Sequence, residues 1–88
     1  MKVHELKIAP KYYEAVKCGD KRFEIRLNDR DFKKGDIVVL KRWESDIGFD
    51  PRFNPIVRYI TYITDFEQKP GFVVFGLSGR LQAYDKDL

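Results

Sequence analysis

Apolar and polar residues alternate along most of this chain, in short runs divided by glycine, proline and Asn/Asp punctuation. From Val3 to Ile8, the residues His4, Leu6 and Ile8 fall on one side, the period-two pattern of a strand. Pro10 suits the first turn of a helix, where its missing N–H has no intrahelical bond to lose. Tyr12, Tyr13 and Val16, three and four apart, give that helix one apolar face. Gly19 stands where the helix should end, just past Cys18. A helix of about two turns must be held by packing, since propensity alone does not sustain one so short. Arg22 to Leu27 alternates strictly, with Phe23, Ile25 and Leu27 one way and Arg22, Glu24 and Arg26 the other. Asn28-Asp29-Arg30-Asp31 reads as a polar turn, and Asp36 to Trp43 as a strand rich in β-branched residues. Residues 44 to 55 read as a long loop with two prolines, and Ile56 to Asp65 as the longest strand. Pro70-Gly71 turns the chain into a last strand, Phe72 to Leu77.

Five strands, with one short helix between the first two, predict a mainly β domain. Tight turns and strands apolar on both faces predict a small closed or nearly closed β-barrel of five to six strands. Such closure removes exposed edge strands. The domain should cover residues 1–77, followed by a polar C-terminal tail over residues 78–88.

With 88 residues the chain supports one small core. Hydrophobic residues at 43% and charged residues at 35% exclude a disordered chain and a bundle of membrane helices. The longest wholly apolar runs, Ile37-Val38-Val39-Leu40 and Phe72-Val73-Val74-Phe75, fall far short of a bilayer span, so no membrane partner is expected. Lys2, His4, Glu5 and Lys7 leave no apolar stretch for a secretory signal at the N-terminus. One cysteine rules out an intramolecular disulfide, and one cysteine with one histidine argue against a structural zinc. The expectation is a cytoplasmic protein without metal or cofactor. Seventeen Lys and Arg against fourteen Asp and Glu give a net charge of +3, which permits a nucleic-acid partner without requiring one.

Gly19-Asp20-Lys21-Arg22-Phe23-Glu24-Ile25-Arg26 fits the pattern G-x-K-x-x-E-x-R at Gly19, Lys21, Glu24 and Arg26. This resembles the signature of the ASCH domains, relatives of the PUA-like RNA-binding barrels. His4-Glu5-Leu6-Lys7, Asn28-Asp29-Arg30-Asp31-Phe32, Gly35-Asp36 and Pro70 to Leu77 resemble, in order, a small stand-alone bacterial and phage branch of unknown function. The resemblance covers roughly residues 3 to 77. It implies a PUA-like barrel and contact with RNA.

The residue chemistry is consistent with that implication. Gly19 lets backbone pass close to a ligand. Lys21 offers an ammonium to a phosphate or carbonyl. Glu24 and Arg26, two apart on a strand, project from one face: one accepts from base amino groups, the other forks or stacks. The plain alternative is that Glu24 only pairs with Lys21 or Arg26 in a salt bridge. His4 is either a half-buried histidine satisfied by a backbone carbonyl or a base contact or proton donor at the mouth of the cleft. Arg30 belongs either to turn chemistry or to the cleft, oriented by Asp29 or Asp31. Trp43, Phe49, Arg52 and Phe53, after Lys41 and Arg42, form either a stacking surface for bases or a satellite cluster closing the barrel end. Cys18 reads as a small, at least half-buried filler.

Three functions fit. The first is an RNA- or modified-nucleotide-binding module with its site at Gly19, Lys21, Glu24, Arg26, His4 and Arg30. The second is a small amidohydrolase, because some stand-alone ASCH proteins act on N4-acetylcytidine. In those relatives the motif lysine is catalytic and a threonine stands where this chain has Glu24. Here Lys21 and Glu24 would share acid–base work, and Glu67 is the only glutamate after Glu44 to offer a downstream acid. The third is a protein-interaction adaptor, favoured by an exposed aromatic patch around Trp43, Phe49 and Phe53.

Overall fold

A computed structural model describes residues 1–79; the greater part of the expected C-terminal tail, residues 80–88, lies outside the described residues. The elements in chain order are β1 (Val3–Ile8), α1 (Pro10–Lys17), β2 (Phe23–Leu27), β3 (Ile37–Glu44), β4 (Gly48–Phe49), β5 (Ile56–Thr64) and β6 (Phe72–Leu77). The architecture is mainly β with one short helix between the first two strands, as the pattern predicts. Residues 44 to 55 differ from the expected loop. β3 runs on to Glu44 and pairs with β4, so that Trp43 faces Phe49 across a small hairpin.

The strands form one six-stranded sheet in the order β1-β3-β5-β6-β2, with β4 attached to β3. β1 and β3 run parallel in the register Val3 to Ile37 and Ile8 to Arg42. The other pairs are antiparallel. The expected barrel does not close: β1 and β2 end the path and share no ladder. The physical reason lies in the side chains between these two edges, described below.

The core comes from β1 (Leu6, Ile8), α1 (Tyr13, Val16), Phe32, β3 (Val38, Leu40), β5 (Ile56, Ile60) and β6 (Val73, Phe75, Leu77). Among the described residues β2 adds no apolar side chain to it. Its strict alternation is real, but the polar face turns inward. Glu24 is buried beside Phe75, its register partner, whereas Phe23, Ile25 and Leu27 lie exposed. A bulge on β5 between Ile60 and Ile63 keeps both of those residues facing inward while the chain gains one residue.

α1 starts at Pro10, which occupies the first helical turn, and packs Tyr13 and Val16 inward. Gly19 ends it at φ +90°, a backbone conformation open to glycine at little cost. That turn carries the chain back so that the Lys21 N–H donates to the Ala15 carbonyl at 2.9 Å. Lys21 is thereby fixed against the end of the helix, two residues before β2.

Candidate functional site

Glu24 is the centre of the site. Only 4% of its surface is exposed, and a buried carboxylate must be both hydrogen-bonded and charge-paired. Lys21 Nζ bonds to Glu24 Oε2 and also donates to the Phe23 carbonyl at 2.7 Å. On the other side Arg26 donates to Glu24 Oε1 from Nε at 2.9 Å and from Nη2 at 2.7 Å. Two cations thus hold one anion, and the cluster carries a net charge of +1. Gly19, Lys21, Glu24 and Arg26 come together as the motif implies, with Gly19 acting through the turn that places Lys21.

The rings of Tyr12 and Phe23 flank the lysine, with Nζ 5.4 Å and 4.9 Å from their centroids. These side chains, with Lys7, Ile8, Ala9 and Ile25, line an open cleft of about 450 Å³ between β1, the start of α1 and β2. Arg26 Nη1 makes no hydrogen bond among the described residues, and Lys21 keeps one N–H beyond its two bonds.

The same arginine explains the open seam. Arg26 Nη2 donates to the Lys7 carbonyl at 2.8 Å, and Arg30 Nη1 donates to the Glu5 carbonyl at 2.6 Å. Glu5 and Lys7 sit on β1 with their carbonyls turned away from β3. Two guanidinium groups therefore satisfy the acceptors that a ladder partner would take. Across the seam, β2 bonds to β6 through alternate residues: the Leu77 N–H donates to Arg22 and the Asn28 N–H to Gly71. The intervening Ile25 thus points its own N–H and carbonyl at the free edge, toward the cleft.

His4 belongs elsewhere. Its Nε2 donates to Asp36 Oδ2 at 2.8 Å, and its ring packs on Phe32 at 4.7 Å between centroids. Both partners are buried, so His4 is a satisfied core histidine rather than a cleft residue. Burial alone would raise the Asp36 pKa. Hydrogen bonds from His4 and from the N–H groups of Lys2 and Lys33 outweigh it and hold the carboxyl at about 2. Arg30 reaches the β1 edge through its bond to Glu5, and Asp29 lies only at the limit of an ion pair with it, 4.0 Å.

A second ionic cluster escaped the sequence reading. Asp50, buried after β4, accepts from Arg42 at 3.1 Å and from Arg52 at 2.9 and 2.7 Å. The Arg52 hydrogen bonds hold its carboxyl at about 2. Nothing in the spacing separates Asp50 from the other aspartates; only the hairpin brings it between two arginines. Phe53 packs against the core beside Tyr13, with the Arg42 guanidinium 4.0 Å from its ring, which is the satellite-cluster alternative. Phe49 is exposed, and Trp43 is half-buried under the Lys7 ammonium. Cys18 is exposed instead of acting as filler. Among the described residues no group of three His, Cys, Asp or Glu could hold a metal, and no helix is long and apolar enough to cross a membrane.

Known proteins place the chain in a family. An uncharacterized 12.9 kDa protein from the GpA 3′ region of Escherichia phage P2 is 31% identical to it over 65 residues. The match covers 74% of this chain and 60% of the phage protein, so the chain spans less than two thirds of that relative. The family described as "Domain of unknown function (DUF3850)" matches residues 3–77, from the first residue of β1 to the last of β6, and the chain belongs to that family.

Proposed function

We propose that this chain is a binding module for RNA or for a single modified nucleotide, with its site in the cleft between α1 and β2. One observation carries the reading: a buried glutamate clamps Lys21 and Arg26 at the wall of an open cleft, leaving net positive charge and unused N–H donors. A cleft of about 450 Å³ is within the range for small-ligand sites, on the order of 300–1,000 Å³. Tyr12 and Phe23 offer flat apolar surface for a base, and the donors suit a phosphate or a base carbonyl. The free edge at Ile25 adds a backbone donor and acceptor. Resemblance of the Gly19-to-Arg26 motif to ASCH signatures, and through them to PUA-like barrels, supports the same ligand class and a cytoplasmic setting.

Binding is favoured over catalysis because Lys21 already spends two of its N–H groups on the Phe23 carbonyl and on Glu24. A nucleophile or general base needs an accessible lone pair, and both of these contacts use the nitrogen as a donor instead. Glu24 also stands where the amidohydrolase relatives carry a threonine. The test is a screen of short single-stranded RNAs and modified nucleosides by fluorescence anisotropy and calorimetry, with Lys21→Ala as the control. Binding at low salt that weakens in Lys21→Ala supports the reading. A folded wild type that binds none of them overturns it.

A further inference from the structure

The inward turn of the polar face of β2 leaves an apolar face outside. Phe23, Ile25 and Leu27 project from β2, and the alternate residues Phe72 and Val74 lie beside them on β6. At the β5 bulge the Thr61 side chain stands over Gly76, and Tyr62, the next residue, is exposed. No charged residue sits on these rows, although charged residues make up 35% of the chain. Exposure is 44% for Phe23, 54% for Ile25, 50% for Leu27 and 67% for Tyr62. With side chains of this size the face exposes on the order of 500 Å² of apolar surface, at the upper end for a lone monomer.

We propose that this face is the interface between two copies of the chain. Aromatic enrichment and absence of charge are the marks of an interface centre. A sheet face packs best on another sheet face of matching extent, and a second copy supplies one with the same dimensions and the same lack of charge. The area decides the occupant's size: an apolar centre of on the order of 500 Å² plus a polar rim approaches the roughly 800 Å² per partner of a stable protein pair. A two-fold axis near Ile25 makes such a contact closed, so the assembly stops at two. Phe23 belongs to both the face and the cleft wall, and pairing therefore sets the cleft of each copy at the rim of the interface.

The test is sedimentation velocity of the full chain from micromolar to near-millimolar concentration, with Ile25→Lys and Tyr62→Lys as variants. The expected result is a reversible dimer that each lysine dissociates while circular dichroism shows the fold intact. Methyl NMR on the wild type needs no variant to fold. On dilution the Ile25, Leu27 and Val74 signals should shift, while those of Val38 and Leu40 in the core stay fixed. A wild type that remains monomeric throughout overturns the proposal, including the case in which a different protein covers the face. So does a dimer that survives both lysines, or dilution shifts confined to other surfaces.

Discussion

Arg26 Nη2 donates to the Lys7 carbonyl at 2.8 Å and, in the same fork, to Glu24, so one side chain joins the two strand edges that no ladder joins. In a closed barrel, backbone N–H groups would do this along the whole seam. Here two arginines do it at two points, and the space that closure would fill remains as the cleft.

Arg26→Ala should therefore destabilise the fold by about 2–4 kcal/mol. It removes charge-assisted bonds and leaves buried Glu24 with one cation in place of two. Arg26→Lys should recover only part of this, because an ammonium cannot form the planar fork to both partners. Urea unfolding midpoints measure it. A loss below about 0.5 kcal/mol, the range of ordinary surface changes, would show that Arg26 does not hold the seam.

Acid should weaken the fold through Asp36. The folded carboxyl titrates near 2 against an ordinary value of 3.8, so between these values the unfolded chain binds the proton more readily. The stabilisation is complete above the unfolded value and is lost as pH falls toward the folded one. Asp50 adds to the same window, because Arg52 and Arg42 hold its carboxyl near 2 as well. Thermal melts should show stability falling between about pH 4 and pH 2. In Asp36→Asn the fall should be shallower, from a lower starting stability. An unchanged acid profile in that variant would show that Asp36 is not a source of the acid sensitivity.

Much of this molecule can be read from local pattern. Alternation in β1, β3 and β6, the Pro10 start and the Gly19 stop are short-range signals, and each marks its element. The Lys21, Glu24, Arg26 grouping is also local, since residues two and three apart at a strand entrance have few other places to go. What local pattern cannot supply is which face of β2 turns inward. Hydrophobic burial favours Phe23, Ile25 and Leu27, yet Glu24 goes in because Lys21 and Arg26 satisfy it there and other elements already fill the core. Closure is hidden from local pattern for the same reason, since what joins β1 to the β2 side in place of a ladder is two arginines that reach across 19 and 25 residues of sequence. His4 with Asp36, and Asp50 with Arg42, are likewise long-range or hairpin-made partnerships.

Gly19→Ala should cost about 1–2 kcal/mol, because a Cβ at φ +90° is strained even where space is open. The nearest atom to that Cβ would be Arg22 Nη2 at 3.8 Å, so the penalty is conformational and not a clash. Gly79→Ala, with nothing within 4 Å and no left-handed backbone, is the matched control and should be neutral. Equal melting temperatures for the two variants would remove Gly19 as the residue that fixes Lys21.

Lys21→Ala separates binding from chemistry. If the Lys21 ammonium meets a phosphate or a base carbonyl, its loss removes a charge-assisted bond of about 1.5–3 kcal/mol, or roughly tenfold or more in affinity. With Lys21 and Arg26 as the contacting cations, log affinity for single-stranded RNA should fall against log salt with a slope of about −1 to −2. A much steeper slope would mean that a wider basic surface, not this cleft, binds the RNA. N4-acetylcytidine should be released unchanged, since position 24 offers a carboxylate in place of a hydroxyl and Lys21 is held as a donor between Glu24 and the Phe23 carbonyl. Incubation with N4-acetylcytidine, followed by chromatography for cytidine and acetate, checks this directly. Turnover in the wild type that disappears in Lys21→Ala would make the cleft an active site and reverse the ranking of the two functions.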